Sequence, residues 1–193
     1  MKFKIAVLVL GIVSIGLGTW LAFSANTSAA AGRSFFALPL PTPKIKGTPL
    51  PIESVFSDTE FDGAEVVKTN AQWKKQLSPA AFNVMRQEGT EAPYSGALTK
   101  NHKDGVYYCA ACHLALFRSK AKFESGTGWP SFFEPIFKKN VIEKEDRSLG
   151  DVRTEVECAR CHSHLGHVFD DGPQPTGLRY CMNSVALEFR ASK

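Results

Sequence analysis

The residues best equipped for chemistry in this sequence are its five cysteines, four of which form two Cys-x-x-Cys pairs. Two residues between thiols let one tight turn point both sulfurs at the same ion, and two such turns complete the tetrahedral shell that structural zinc prefers. The spacing predicts one structural Zn²⁺ held by Cys109, Cys112, Cys158 and Cys161. Disulfide pairing of the same residues is the alternative, because oxidising compartments favour it.

A histidine directly follows each pair, so the segments ending at His113 and His162 also match Cys-x-x-Cys-His, the attachment pattern for c-type haem. On this hypothesis the protein is an exported dihaem electron carrier. The spacing alone does not decide between haem and zinc. The haem hypothesis leaves the fifth cysteine, Cys181, without a role, and the β-prone residues 153–157 are not typical of small helical cytochromes.

Cys181 lies in segment 177–189, whose residue pattern predicts one β-strand. With a period of two, its thiol shares a face of that strand with the side chains of Arg179, Asn183, Val185, Leu187 and Phe189. A guanidinium beside a thiol favours the thiolate, which is the nucleophilic form. The strand therefore predicts a nucleophilic Cys181, and the alternative is a small buried hydrophobic residue.

Two other segments carry groups that could assist a nucleophile. His164 and His167 lie in His-Leu-Gly-His-Val-Phe and could donate protons near neutral pH. Trp129 lies on a glycine-rich turn within Gly-Trp-Pro-Ser-Phe. Taken singly, such histidines are more often structural and such tryptophans more often lie in the core.

Together, the zinc pairs, Gly-Trp-Pro-Ser-Phe, His-Leu-Gly-His-Val-Phe and Arg-Tyr-Cys-Met-Asn-Ser resemble the methionine sulfoxide reductase B family. The motifs occur intact and in the family's order, and the resemblance covers residues 66–190. It implies a mostly β (α+β) fold of two antiparallel β-sheets with short N-terminal helices and a structural zinc site away from the active site. It also implies reduction of methionine (R)-sulfoxide in proteins and peptides.

The resemblance assigns roles residue by residue. Cys181 resembles the nucleophile, which becomes a sulfenic acid, and Trp129 the wall that receives the substrate's methyl group. His164 and His167 resemble the pair that protonates the departing oxygen. The supporting shell would be Asn183 and Arg179. Two aromatic rings are predicted as further substrate contacts, Phe132 and Phe189.

The sequence departs from a common family pattern at Thr127, where many members carry a cysteine that resolves the sulfenic acid into a disulfide. Because the zinc shell takes the other four cysteines, we expect an external thiol to reduce Cys181 directly. A thioredoxin-like protein, a glutaredoxin or a small thiol could serve. A non-catalytic zinc-ribbon interaction module is a further alternative, which the Cys181 strand argues against.

The elements that must position these residues can be read from the sequence pattern. Asn70 opens a short amphipathic stretch, and Ser78 with Pro79 marks the start of a second helix that stops at Gly89. From Val106 onward, short β-prone runs alternate with turn residues. The predicted strands cover residues 106–109, 153–157, 167–169 and 179–189.

The chain has a distinct N-terminal part. Lysines precede the uncharged residues 5–23, so residues 1–31 are predicted to be a signal peptide or an N-terminal membrane anchor. The proline-rich residues 32–65 are predicted to be a linker. We therefore expect an exported protein, periplasmic or otherwise extracytoplasmic. The net charge of +4 is spread along the chain, which argues against nucleic-acid binding.

Overall fold

The protein is described by a computed structural model that covers residue 56, residues 58–148 and residues 150–192. The predicted signal or anchor and most of the predicted linker lie outside these residues. Within the described part, no helix has the length and apolar character needed to cross a membrane.

The last part of the predicted linker packs on the folded domain. The buried amide of Asn140 accepts a hydrogen bond from the Phe61 backbone N–H at 2.8 Å and donates one to the Thr59 carbonyl at 3.1 Å. Phe56 packs edge-on against Tyr108, with ring centroids 5.0 Å apart. A buried amide needs such partners, so residues at the end of the predicted linker contribute contacts to the folded part.

Two short helices precede the sheets, as predicted: α1 (Asn70–Gln76) and α2 (Pro79–Gln87). Thr69 forms a capping box with Gln72 at the start of α1, and Ser78 caps α2 ahead of its first-turn proline. The apolar face of α2 is buried and packs against the strand that carries both predicted catalytic histidines.

The mostly β fold of two antiparallel sheets is confirmed. One sheet has three strands in the order β2-β1-β9, and the other has six in the order β3-β4-β8-β7-β6-β5. The strands are β1 (Gly105–Cys109), β2 (Ala115–Arg118), β3 (Lys122–Phe123), β4 (Ser131–Phe132), β5 (Val141–Asp146), β6 (Arg153–Cys158), β7 (His164–Phe169), β8 (Arg179–Met182) and β9 (Leu187–Ala191). Aromatic residues pack in the core, where Phe117 and Phe132 stack with ring centroids 4.4 Å apart.

The single strand predicted over residues 179–189 is wrong. β8 ends at Met182, a 3₁₀ turn covers Ser184–Ala186, and β9 then pairs with β1 in the other sheet. The face shared by Arg179, Cys181 and Asn183 therefore does not continue to Phe189. No glycine or proline marks the break between β8 and β9 in the sequence.

Candidate active site and metal centre

Strand register brings four polar side chains into one row across the six-stranded sheet. Cys181 on β8 lies opposite Ser131 on β4 and opposite His167 on β7, and His167 lies opposite Glu155 on β6. Directly paired residues project from the same face of a sheet. The row therefore places a thiol between a hydroxyl and an imidazole.

The Cys181 thiol is half-buried. Burial raises its pKa above the ordinary thiol value, although the hydroxyl of Thr127 and the guanidinium of Arg179 act in the opposite direction. From the sequence, only the effect of Arg179 on this pKa could be predicted. In the folded protein the cost of desolvating the thiolate is larger, so the Cys181 side chain is a protonated thiol at neutral pH.

A bidentate ion pair occupies the Arg179 guanidinium. Its Nε and a terminal nitrogen donate to the two carboxylate oxygens of Asp171 at 2.7 and 2.8 Å. The guanidinium carbon also lies 4.3 Å from the centre of the Phe169 ring. Because Asp171 neutralises much of its charge, Arg179 lowers the pKa of Cys181 less than an unpaired cation would.

Three hydroxyl groups form a hydrogen-bonded chain that ends at the Cys181 thiol. Ser125 Oγ lies 2.7 Å from Ser131 Oγ and 2.8 Å from Thr127 Oγ1. Thr127 Oγ1 lies in turn 3.8 Å from Cys181 Sγ. This chain surrounds the thiol with groups that can both donate and accept hydrogen bonds.

His167 is held by a carboxylate. Its Nε2 lies 2.9 Å from Asp146 Oδ2, and Arg153 donates to the same oxygen at 2.5 Å. Burial lowers the pKa of His167 below the ordinary histidine value even though Asp146 opposes that shift. The Asp146 carboxyl has a pKa well below its usual range, chiefly because it accepts hydrogen bonds from Ser148 and then from His167. His167 is therefore a neutral imidazole at neutral pH.

His164 has a carboxylate partner of its own. Its Nδ1 lies 2.7 Å from Glu155 Oε1, and both side chains are almost fully buried. Its Nε2 has no hydrogen-bond partner among the described residues. The rings of His164 and His167 are 5.4 Å apart, but His164 lines a cavity beside the Cys181 cleft rather than the cleft itself.

A cleft of about 140 Å³ opens at Cys181. It brings together four of the residues predicted from the sequence: Trp129, His167, Cys181 and Asn183. Four further lining residues were not predicted: Thr90, Arg153, Gly166 and Phe169. Phe169 lies two residues after His167 on β7, so the period-two rule applied to that strand could have identified it.

Two predicted substrate contacts are corrected by the structure. Phe132 has no exposed surface and stacks on Phe117 in the core. Phe189 lies on β9 in the other sheet, with its ring centroid 4.9 Å from that of Tyr107. Neither ring lines the cleft.

Glu91, which was not predicted from the sequence, makes hydrogen bonds to several parts of the cleft wall. Its carbonyl accepts from Trp129 Nε1 at 3.1 Å, and its backbone N–H donates to Asn183 Oδ1 at 3.0 Å. Its carboxylate accepts from the backbone N–H groups of Ser184 at 2.6 Å and Val185 at 3.2 Å. One residue thus fixes the indole, the amide and the turn after the nucleophile strand.

The four paired cysteines converge at one point, and their sulfur atoms all lie within 4.8 Å of one another. Cys109 Sγ and Cys161 Sγ are 3.7 Å apart, and Cys112 Sγ and Cys158 Sγ are 3.5 Å apart. A disulfide requires about 2.05 Å. A tetrahedron with metal–sulfur bonds of about 2.3 Å has edges of about 3.8 Å, so the cluster fits a single metal ion.

The two Cys-x-x-Cys turns have the same backbone. In each turn the first cysteine carbonyl accepts from the N–H of the histidine after the pair, at 2.8 Å for His113 and 2.9 Å for His162. Both histidines adopt left-handed φ values, 60° and 53°. The dihaem hypothesis is wrong because haem attachment needs two separate cysteine pairs, whereas here all four thiols share one centre.

Comparison with known proteins agrees with this geometry. A family model described as the SelR domain matches residues 77–191. The chain is similar to the peptide methionine sulfoxide reductase MsrB of Pseudomonas entomophila, with 56% identity over 126 residues, 65% of this chain and 96% of that protein. The protein of the same name from Leptospira interrogans is 54% identical over 127 residues, 65% and 96% of the two chains. That from Methanosarcina barkeri is 56% identical over 128 residues, 66% and 90%.

Proposed function

Because the chain belongs to the methionine sulfoxide reductase B family, we propose that Cys181 is the nucleophile with which it reduces methionine sulfoxide. The enzyme is a peptide methionine sulfoxide reductase. One observation carries the residue assignment: Cys181 shares a single cleft with the indole of Trp129, the imidazole of His167 and the amide of Asn183. That cleft combines a nucleophile, a proton-transfer group and an apolar wall.

The opposed pKa shifts of Cys181 and His167 suggest how the proton moves. The resting pair is a protonated thiol opposite a neutral imidazole. His167 accepts the thiol proton as the thiolate attacks the substrate sulfur, and the resulting imidazolium then protonates the departing oxygen. Asp146 stabilises that imidazolium through its bond to Nε2.

The reaction balances without a cofactor. The Cys181 thiol and the sulfoxide give a Cys181 sulfenic acid and a thioether, so sulfur is oxidised in the enzyme and reduced in the substrate. Two equivalents of an external thiol then restore Cys181 and release water and a disulfide. A thioredoxin-like protein, a glutaredoxin or a small thiol would fill this role, because Thr127 cannot form a disulfide.

Trp129 orients the substrate, and Asn183 positions the strand that carries Cys181. The substrate's methyl group packs on the indole face, which gives selectivity for the R epimer, and the amide of Asn183 holds the end of β8 in place through Leu165. Arg179 and His164 act from behind the cleft. Arg179 limits the pKa of Cys181, and the His164–Glu155 pair supports His167.

The cysteines Cys109, Cys112, Cys158 and Cys161 would hold one zinc ion. Four thiolates in a closed tetrahedral shell suit structural zinc, which would join the two turns and contribute folding free energy. The uncharged residues 5–23 support export to an extracytoplasmic compartment, with residues 1–31 either cleaved or retained as an anchor. There the enzyme would repair oxidised proteins.

Turnover of separated R and S epimers of a methionine sulfoxide peptide, with dithiothreitol as reductant, tests the proposal. We expect the enzyme to reduce the R epimer alone. The Cys181→Ser variant should lose this activity while keeping its fold. Activity retained by Cys181→Ser would remove the proposed nucleophile. Turnover of both epimers would contradict the role of Trp129.

A further inference from the structure

Tyr94 is an exposed aromatic residue with an unusual backbone. Tyr94 is 66% exposed, and its backbone φ is 62°. A bulky residue rarely adopts a left-handed conformation, because the Cβ approaches the following carbonyl. Such strain persists only where surrounding contacts enforce it, and it concentrates at functional sites.

Two hydrogen bonds enforce this conformation, and both go to the turn beside the nucleophile. The Tyr94 backbone N–H donates to the Gly128 carbonyl at 2.8 Å, and its hydroxyl donates to the Gly126 carbonyl at 2.5 Å. These carbonyls flank Thr127, whose hydroxyl lies 3.8 Å from Cys181 Sγ. Tyr94 therefore covers the turn next to the reacting sulfur.

The fit between the two segments is close. A Cβ at Gly128 would lie 2.8 Å from Pro93 Cβ and from the Tyr94 nitrogen, so a larger residue would push the segments apart. At the other end of the segment, Thr90 lines the cleft. Residues 90–94 therefore connect the cleft, at Thr90, with the turn that precedes Trp129, to which Tyr94 is bonded.

The size of the cleft means that a protein substrate must also make contacts outside it. A volume of about 140 Å³ suits one side chain, so the backbone and neighbouring residues of a protein substrate must rest outside it. Ala92, Pro93 and Tyr94 are all exposed and form an apolar strip that directly follows Glu91, whose carbonyl accepts from Trp129 Nε1. A rigidly held tyrosine gives a large contact area at little entropic cost.

We propose that Tyr94 is a docking contact for the peptide residue beside the methionine sulfoxide, and that it favours apolar or aromatic neighbours. The proposal rests on the reductase function. Its occupant is the peptide substrate rather than the reductant, because hydrogen bonds join both ends of the strip to the Trp129 wall: Glu91 accepts from the indole and Tyr94 donates to Gly128. The apolar strip has no charged group of its own to select a charged neighbour.

The test compares Tyr94→Ala and Tyr94→Asn with the unchanged enzyme on two substrates. One is a peptide with leucine or phenylalanine beside methionine (R)-sulfoxide, and the other is N-acetylmethionine (R)-sulfoxide, which has no such neighbour. We expect KM for the peptide to rise on the order of three- to tenfold, with kcat for the peptide and both constants for the small substrate unchanged. Asparagine tolerates the left-handed backbone, so Tyr94→Asn keeps the test valid if alanine impairs folding.

Two controls sharpen the result. Tyr94→Phe keeps the ring and removes the bond to Gly126, so its peptide KM should stay near that of the unchanged enzyme. Val67→Ala removes another exposed apolar side chain. Val67 lies near the metal turn, because the N–H of its neighbour Val66 donates to the Arg160 carbonyl. This variant should leave KM and kcat unchanged for both substrates. An equal rise in KM for both substrates, or a rise in KM for a thioredoxin reductant alone, would overturn the proposal. Failure of the unchanged enzyme on both substrates would instead refute the reductase function.

Discussion

The Thr127 hydroxyl lies 3.8 Å from the Cys181 thiol, where a second thiol could reach the nucleophile. The other four cysteines meet at the metal centre, so this threonine stands where a resolving cysteine would act. Its hydroxyl can hydrogen-bond a sulfenic acid but cannot reduce it. Regeneration must therefore come from outside the chain.

Thr127→Cys is expected to convert the enzyme to an internal-disulfide mechanism. After one turnover the new thiol attacks the sulfenic sulfur of Cys181, forming a disulfide and releasing water. Mass spectrometry of the enzyme treated with substrate and no reductant should show the 127–181 disulfide. Ser125→Cys is the matched control, because Ser125 contacts Thr127 and not Cys181, and it should form far less disulfide. Equal yields in the two variants would contradict this geometry.

The reactivity of Cys181 should depend on pH, and Arg179 and Asp171 should shift the midpoint of that dependence in opposite directions. Burial raises the pKa of Cys181 and Arg179 lowers it, so alkylation by iodoacetamide should rise with pH and reach half its maximum above the ordinary thiol pKa. Removing the cation in Arg179→Gln should raise the midpoint. Removing the carboxylate that neutralises it, in Asp171→Asn, should lower the midpoint. Shifts in the same direction would show that charge is not the cause.

Asp146→Asn should lower the pKa of His167 further. The Asp146 carboxylate favours the charged imidazolium, while burial disfavours it. The acidic limb of the kcat/KM profile would move to lower pH, and NMR titration of the His167 ring should show the same shift. Glu145→Gln, on the neighbouring exposed position, should leave the titration unchanged. A His167 pKa that rises in Asp146→Asn would contradict the assigned partner.

Glu91→Ala should impair both stability and turnover. Loss of its carboxylate leaves the N–H groups of Ser184 and Val185 without acceptors, at a cost of about 1–3 kcal/mol, and loosens the turn that follows β8. We expect a lower Tm and a fall in kcat/KM on the order of tenfold. Glu91→Gln retains one acceptor oxygen and should recover part of both. Glu134→Ala, at an exposed site, should leave both unchanged.

Removal of the metal should unfold the domain. Structural zinc binding is worth about 10 kcal/mol or more, comparable with the whole stability of a small domain. Cys158→Ser should lose metal, as measured by elemental analysis, and lose its cooperative thermal transition. Cys181→Ser should keep both. A metal-free Cys158→Ser protein with an unchanged Tm would contradict the structural role.

The cysteine pairs, the helix caps and the linear motifs could be predicted, because each depends on residues that are close together in the sequence. It did not reveal Glu91, which contacts Asn183 and Trp129 across long stretches of chain. Phe132 and Phe189 were misplaced for a related reason. A motif shows that an aromatic ring is present, but packing between the sheets decides which way the ring faces. Phe189 lies in the other sheet because the chain turns at Ser184, between β8 and β9.

That turn also connects the Cys181 strand with the cysteine cluster. β8 carries Cys181, and the next strand, β9, pairs Leu187 with the metal ligand Cys109. β6 makes a second connection, since it carries both Glu155 and Cys158. Amide hydrogens near the nucleophile and near the metal should therefore exchange with solvent as one cooperative unit, so that opening at the metal turns also opens the catalytic strand.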